Sequence, residues 1–377
     1  MSKGVISIGI TCPIIREGDN LIDIVTKAVL DEMTFVTDKG DKIYQINNKD
    51  VIGITESVIA RAAGLYVTVD EIAEDIKKKG NNADVIFAIN PIYSRNRFSM
   101  ILKGIARAAG KAVVITMPDY DEVGNPSEVN LFTGVNIKEY YKQIVENEGK
   151  TVIFAGEWGN GTTYNLLFDL AESATVCCIY CGLHGYNEWK LKNALLSINP
   201  SYYTLADVCS DKNPDFGLLG TNKATEERLK LFPTESEANR VCEGVKTKIK
   251  EITGKDVIVM GYGDGSYKDL DAGIWEMADP VSSPGYTDAE LLNSTPNEIK
   301  VKAYADDKYK NLSGKELEDA IKEEIKLNKG KNLVGKMTSQ GTTPRRYVNL
   351  LASLMDLTSG SGERCTPIIL IKNYFKE

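Results

Sequence analysis

The sequence predicts an α/β fold with mixed sheets, and three observations predict it. Apolar, strand-like runs alternate with segments of helical spacing along nearly the whole chain. Residues 151–198 carry strand, glycine loop, helix, strand and helix in that order, the grammar of a parallel sheet. The 377 residues, 42% hydrophobic and 26% charged, exceed the usual size of a single core, so two domains or one elaborated domain are expected.

Each element has a local reason. "GVISIGIT" and "DKIYQIN" read as strands, and "DNLIDIVTKAVLDEM" has helical spacing with Asp19 or Asn20 able to cap it. "DVIGITESVIARAAG" runs from strand into a short helix ending at Gly64. "TVDEIAEDIKKKG" opens with Thr-x-x-Glu, a capping box, and stops at glycine. Strand "ADVIFAIN", helix "FSMILKGIARAAG" and strand "KAVVITM" follow. Residues 119–200 look like a self-contained α/β lobe, holding "KTVIFAGEWGNGTTYNLLFDLAES", "ATVCCIYCG" and the helix "YNEWKLKNALLSI". Beyond it come the helix "SEANRVCEGVKTKIKEITG", the strand "KDVIVM", the charged helix "GKELEDAIKEEIKLNKG", the helix "TPRRYVNLLASLMDLTSG" and the closing strand "TPIILIKNYF". No internal repeat or low-complexity tract is present.

Composition excludes several classes. A net charge of −8 argues against nucleic acid or an anionic membrane as the main partner. "GVISIGITCPII" contains a proline and lacks a signal peptide's basic start and cleavage site, and no segment reaches spanning length, so a cytoplasmic protein is expected. Seven scattered cysteines do not read as a disulfide framework. Cys178, Cys181 and His184 have a spacing that could seat zinc, but "ATVCCIYC" reads as easily as a buried strand. His184 is the one histidine, and no G-x-S-x-G elbow exists, so chemistry must rest on carboxylates, Lys/Arg and metal. "GEWGNGTTYN" and "GLLGTNKA" both fail the Walker pattern, which argues against an ordinary P-loop enzyme. "GYGDGSYKD", 261–269, follows an apolar strand and can bring backbone N–H groups and short carboxylates to one ligand, as a metal-bound phosphate requires. A tight surface turn is the alternative.

Read in order, three blocks resemble the coenzyme F420-0:L-glutamate ligase (γ-glutamyl ligase) family. They are "CPIIREGDNLIDIV…DKGDKIYQINNKDVIGITESVIARAAG", "TNKATEERLKLFPTESEANRV…ITGKDVIVMGYGDGSYKD" and "NLLASLMDLTSGSGERCTPIILIKNY". The resemblance implies a two-lobed γ-glutamyl ligase-like fold, formed by 1–118 and 201–377, with 119–200 inserted. It implies an amide ligase, using GTP or ATP and Mg²⁺ or Mn²⁺ to join L-glutamate to a carboxylate of a small anionic acceptor through an acyl phosphate. A homodimer with neither nucleic-acid nor membrane partner is expected. A phosphotransferase or hydrolase, or a non-catalytic nucleotide sensor, are the rival readings.

Site residues carry over one by one. Asp264 falls on the family's metal aspartate and Lys268 on an arginine. Cys12, Pro13, Ile14 and Ile15 match the loop against the nucleotide, Arg61 takes the place of a nucleotide-contacting lysine, and Asn222 matches a nucleotide-contacting asparagine. Glu56 and Ser57 replace a Ser-Lys pair, which removes one positive charge from the phosphate site. Leu219 stands where a second metal aspartate belongs, so Asp215, the nearest carboxylate upstream, is the substitute metal ligand the resemblance leaves, and Asp356 takes the place of a last-helix glutamate that faces the second metal. Arg95, Arg97, Lys336, Arg345 and Arg346 are candidates for holding an anionic acceptor.

Overall fold

A computed structural model describes residues 4–122, 124–129, 134–157, 161–182, 201–263, 267–269, 274–276, 285–293, 299–328, 331, 346–360 and 364–375. The chain divides into two compact units, Met1–Thr287 with Met355–Glu377, and Asp288–Leu354.

The first unit is built on two main sheets. β1 (Ile6–Ile10), β4 (Val51–Thr55), β13 (Ile258–Tyr262) and β16 (Ile368–Lys372) form a four-stranded sheet in the order β1-β16-β4-β13. β13 lies parallel to β4, while β16 runs antiparallel to both of its neighbours. Helices α1 (Leu21–Met33), α2 (Glu56–Ala62) and α7 (Glu235–Thr253) contribute to its core. Asn20, one of the two expected caps, accepts the Asp23 N–H, and α7 ends at Gly254, whose φ of +69° suits glycine. Gly53 in β4 is required because Met355 lies where a Cβ would stand. β2 (Thr34–Val36) and β3 (Lys42–Tyr44) pair as a hairpin after α1.

The second sheet is wholly parallel. β6 (Val85–Ile89), β7 (Ala112–Thr116), β8 (Thr151–Ala155), β9 (Val176–Tyr180) and β10 (Ser201–Thr204) stand in the order β10-β9-β6-β7-β8. Helices α3 (Val69–Lys79), α4 (Phe98–Ala108) and α5 (Ile137–Asn147) share one core cluster, and α6 (Gly161–Ser173) packs into another. The inner strands β6, β7 and β9 are buried on both faces over most of their length, which is why they read as continuous apolar runs. The Thr68–Glu71 capping box of α3 forms as its sequence dictates. β8 and β9, expected in a 119–200 lobe, are hydrogen-bonded with β6 and β7, so this sheet runs from Val85 to Thr204. The helix expected over 186–198 lies outside the described residues.

A three-stranded sheet, β11 (Asn222–Thr225), β12 (Arg228–Lys230) and β5 (Tyr66–Thr68), closes this excursion. The chain departs after β5 and returns at β11, and β12 pairs antiparallel with β5. β14 (Tyr267–Asp269) and β15 (Ile274–Glu276) pair as a separate ribbon.

The second unit holds short turns at Ala289–Leu292 and Val301–Lys308, helix α8 (Gly314–Asn328) and the start of α9 (Tyr347–Thr358). Buried Glu324 on α8 accepts a hydrogen bond from the Tyr309 hydroxyl at 2.7 Å and pairs with Lys308.

Candidate functional site

Sheet polarity brings separate segments to one edge. β1, β4 and β13 run in the same direction, so their C-terminal ends face the edge at which β16 begins. Cys12–Ile15 follow β1, Glu56 and Ser57 follow β4, Gly263 follows β13, and Cys365–Pro367 lead into β16. Backbone bonds tie them together. Cys12 N–H donates to the Cys365 carbonyl at 3.0 Å, Thr55 N–H to the Pro367 carbonyl at 3.0 Å, and the Tyr262 hydroxyl to the same Pro367 carbonyl at 3.3 Å.

Within the first loop, Ile15 is buried in the sheet's core while Pro13 and Ile14 are exposed, Ile14 by 77%. Cys12 is half-buried, and burial pushes its thiol up to about 11. It is therefore a protonated, unreactive thiol at neutral pH.

Glu56 is the residue at this edge whose environment departs furthest from expectation. It is the first residue of α2 and 1% exposed. Both carboxylate oxygens accept from the Lys230 ammonium, at 2.7 and 2.6 Å. Lys230, at the end of β12, is itself buried. Its register partner is Asn222 on β11, which puts the two side chains on one face of that ribbon. The carboxylate at position 56 is thus neutralised by a lysine on a strand 174 residues further on.

The local fold holds this strand closely. Buried Asn213 donates its side-chain N–H to the Phe232 carbonyl at 2.7 Å and accepts the Phe216 N–H at 3.1 Å. The Phe216 and Phe232 rings meet edge to face at 5.2 Å. Gly220, at φ +67°, and Gly263 both lie against the Phe232 ring, where a Cβ would stand 2.9 and 3.0 Å from ring atoms. A Cβ on Gly263 would also stand 3.4 Å from Glu56 Cγ. Thr221, fully buried, donates to the Leu218 carbonyl and so sets the turn that delivers Asn222.

Other expected residues stand apart. Arg61 is exposed in the last turn of α2. Leu219 belongs to the core cluster of the parallel sheet. Asp215 is exposed and accepts the Glu235 N–H at 2.8 Å, at the start of α7. Asp356 lies half-buried on α9, next to the Met355 that covers Gly53. Arg95 and Arg97 follow β6, the central strand of the parallel sheet, beyond its C-terminal end. Lys268 falls in the β14–β15 ribbon, opposite Trp275. Asp264, Lys336 and Arg345 lie outside the described residues, as does His184, while Arg346 is exposed. Cys178 and Cys181 are buried, β9 having the form of an ordinary core strand, and burial pushes both thiols up. Among the described residues no group of three or more His, Cys, Asp or Glu could hold a metal ion. The described donors therefore do not by themselves make a metal site.

Fold and edge together define an α/β protein in which the segments after β1, β4 and β13 end on one side of a mixed sheet, with the buried Glu56–Lys230 ion pair at the end of β4. The chain belongs to the F420-0:gamma-glutamyl ligase family, whose model matches residues 9–373. Membership places it among ligases. No curated protein matches it. Among the described residues no helix is long and apolar enough to cross a membrane.

Proposed function

We propose that this protein is a nucleotide-dependent acid–amino-acid ligase that adds L-glutamate, or a similar amino acid, to a carboxylate of a small anionic acceptor. The reading rests on one observation above all: segments 12–15, 56–57 and 263, far apart in sequence, end at one sheet edge in a chain matched to this family over 9–373. A carboxylate is a poor electrophile. Its oxygen attacks the terminal phosphorus of GTP or ATP, the nucleoside diphosphate leaves, and an acyl phosphate remains. The amine then attacks the carbonyl carbon, inorganic phosphate departs, and the amine's proton passes to solvent. Each step moves negative charge on phosphate oxygens, so the residues' task is to hold and neutralise that charge. Mg²⁺ or Mn²⁺ belongs to the proposal through Asp264 and Asp356; when bound, it would neutralise phosphate charge. A cytoplasmic homodimer completes the reading.

The test is phosphate release from GTP and ATP, with Mg²⁺ or Mn²⁺, with and without glutamate, in a pooled small-metabolite extract. Release that requires both glutamate and extract, with a new amide found by mass analysis, is expected. Release that runs to completion without any amine would point instead to a phosphotransferase or hydrolase. One feature favours a non-catalytic sensor: Leu219, in the place of a metal aspartate, is part of the core. Tight nucleotide binding with no turnover under any combination would establish that version.

A further inference from the structure

We propose that Lys230 anchors the phosphate groups of the nucleotide at this edge, and that Glu56 is its positioning partner; the inference rests on the nucleotide-dependent reading above. The pair stands nearly out of water, with side-chain exposures of 7% for Lys230 and 2% for Glu56. Burying two charges is a weak way to stabilise a protein, since well-packed apolar residues in the same place are often as good or better. A pair retained at the convergence of β1, β4 and β13 therefore asks for a task other than stability.

Its geometry fits phosphate. An ammonium has three N–H donors, and Glu56 takes two of them, one on each oxygen. The remaining donor belongs to a cation whose direction is fixed by a two-point contact. A strand lysine held by a helix glutamate is also how protein kinases aim a lysine at nucleotide phosphates, a chemical parallel without shared ancestry. Two further features support the placement. Asn222, directly opposite Lys230 across the ribbon, puts a polar side chain on the same face. Gly263 has no side chain, and a Cβ there would press on the Phe232 ring and reach Glu56 Cγ, so the end of β13 lies close to the pair.

The experiment is calorimetric binding of guanosine, GDP and GTP, and of the adenosine series, to the full chain with Mg²⁺. It compares wild type with Lys230→Met, Lys230→Arg, Glu56→Gln and the double variant Glu56→Met/Lys230→Met. The double variant guards against misfolding, because it removes both charges at once, and its melting temperature is measured alongside. For wild type, affinity should climb from nucleoside to triphosphate. Lys230→Met and the double variant should lose on the order of 10- to 100-fold of triphosphate affinity, the worth of a hydrogen bond to a charged group, with nucleoside affinity unchanged. Lys230→Arg should recover part of the loss, and Glu56→Gln should lie between. A folded double variant that keeps the full climb would overturn the inference and leave the ligase reading standing. Equal loss for nucleoside and triphosphate would also overturn it. A wild type that binds no nucleotide would refute the ligase reading and, with it, the role of Lys230.

Discussion

Asn213 is expected to be the anchor of the loop that carries Asn222 and Lys230, and its removal should be felt in both stability and local order. The side chain is 1% exposed and spans the chain from the Phe216 N–H to the Phe232 carbonyl. Asn213→Ala deletes two hydrogen bonds, each worth a net of about 1 kcal/mol, and leaves the Phe232 carbonyl without this donor, at a further cost of about 1–3 kcal/mol. Together the loss should be about 3–5 kcal/mol in urea unfolding. Asn213→Asp sharpens the argument. It keeps an acceptor for the Phe216 N–H but faces the Phe232 carbonyl with a buried carboxylate, so at neutral pH it should cost more than alanine. Because the Phe232 ring packs on both Gly220 and Gly263, amide exchange over 218–232 should quicken in both variants. If Asn213→Ala unfolds at the wild-type urea midpoint with unchanged slope, and exchange over 218–232 is the same, the anchoring argument is wrong.

Gly53→Ala should cost about 1–3 kcal/mol by forcing Met355 aside, and adding Met355→Ala should return part of it in the same unfolding assay. Glu71 is held below the usual carboxylate range, chiefly by Lys212 and then by the Thr68 N–H. Its folded-state value lies below its unfolded one, so its contribution is complete above the unfolded value and lost as pH falls through the folded one. Glu71→Gln should accordingly flatten stability against pH below about pH 5, and an unaltered profile would refute this. Iodoacetamide near pH 8 should modify exposed Cys365 ahead of Cys12, whose rate should climb only as pH nears about 11. Equal labelling of the two, read by peptide mass, would contradict the buried setting of Cys12.

Local signals were legible where the neighbouring residues alone decide the outcome. The Thr68-x-x-Glu71 box, the Asn20 cap and the glycine stop of α7 follow from chemistry within one turn of helix. The buried runs of β4, β6, β7 and β13 declare two-sided burial. Lys230 was not legible. In "RLKL" it alternates with leucines and reads as the solvated side of a half-buried strand, yet residues 229, 230 and 231 are all buried. The one available signal was Glu56, a carboxylate directly after a fully buried strand, which requires a partner that spacing cannot name. Asp215 is singled out by position alone. As the nearest carboxylate upstream of Leu219 it is the expected substitute metal ligand, and the structure shows its carboxylate accepting the Glu235 N–H at the start of α7. The meeting of segments 12–15, 56–57 and 263 depends on β16 lying between β1 and β4, a long-range pairing that periodicity does not encode.

A second long-range pairing, β12 with β5, explains how one chain accommodates a large parallel sheet without disturbing the edge. The excursion leaves after β5 and returns at β11, and Lys230 on β12 is in register with Tyr66 on β5. The two ends of the excursion are therefore stapled side by side by backbone hydrogen bonds. Lengthening a loop whose ends are already joined adds only slowly to its closure entropy, about 0.6 kcal/mol per doubling. The same strand that seals the excursion carries Lys230 to Glu56, and Leu229 beside it lies in the core of the parallel sheet. A displacement of the parallel sheet can therefore reach the edge where β1, β4 and β13 end through β12 and the buried ion pair, as well as through β5 and α2, the direct chain connection.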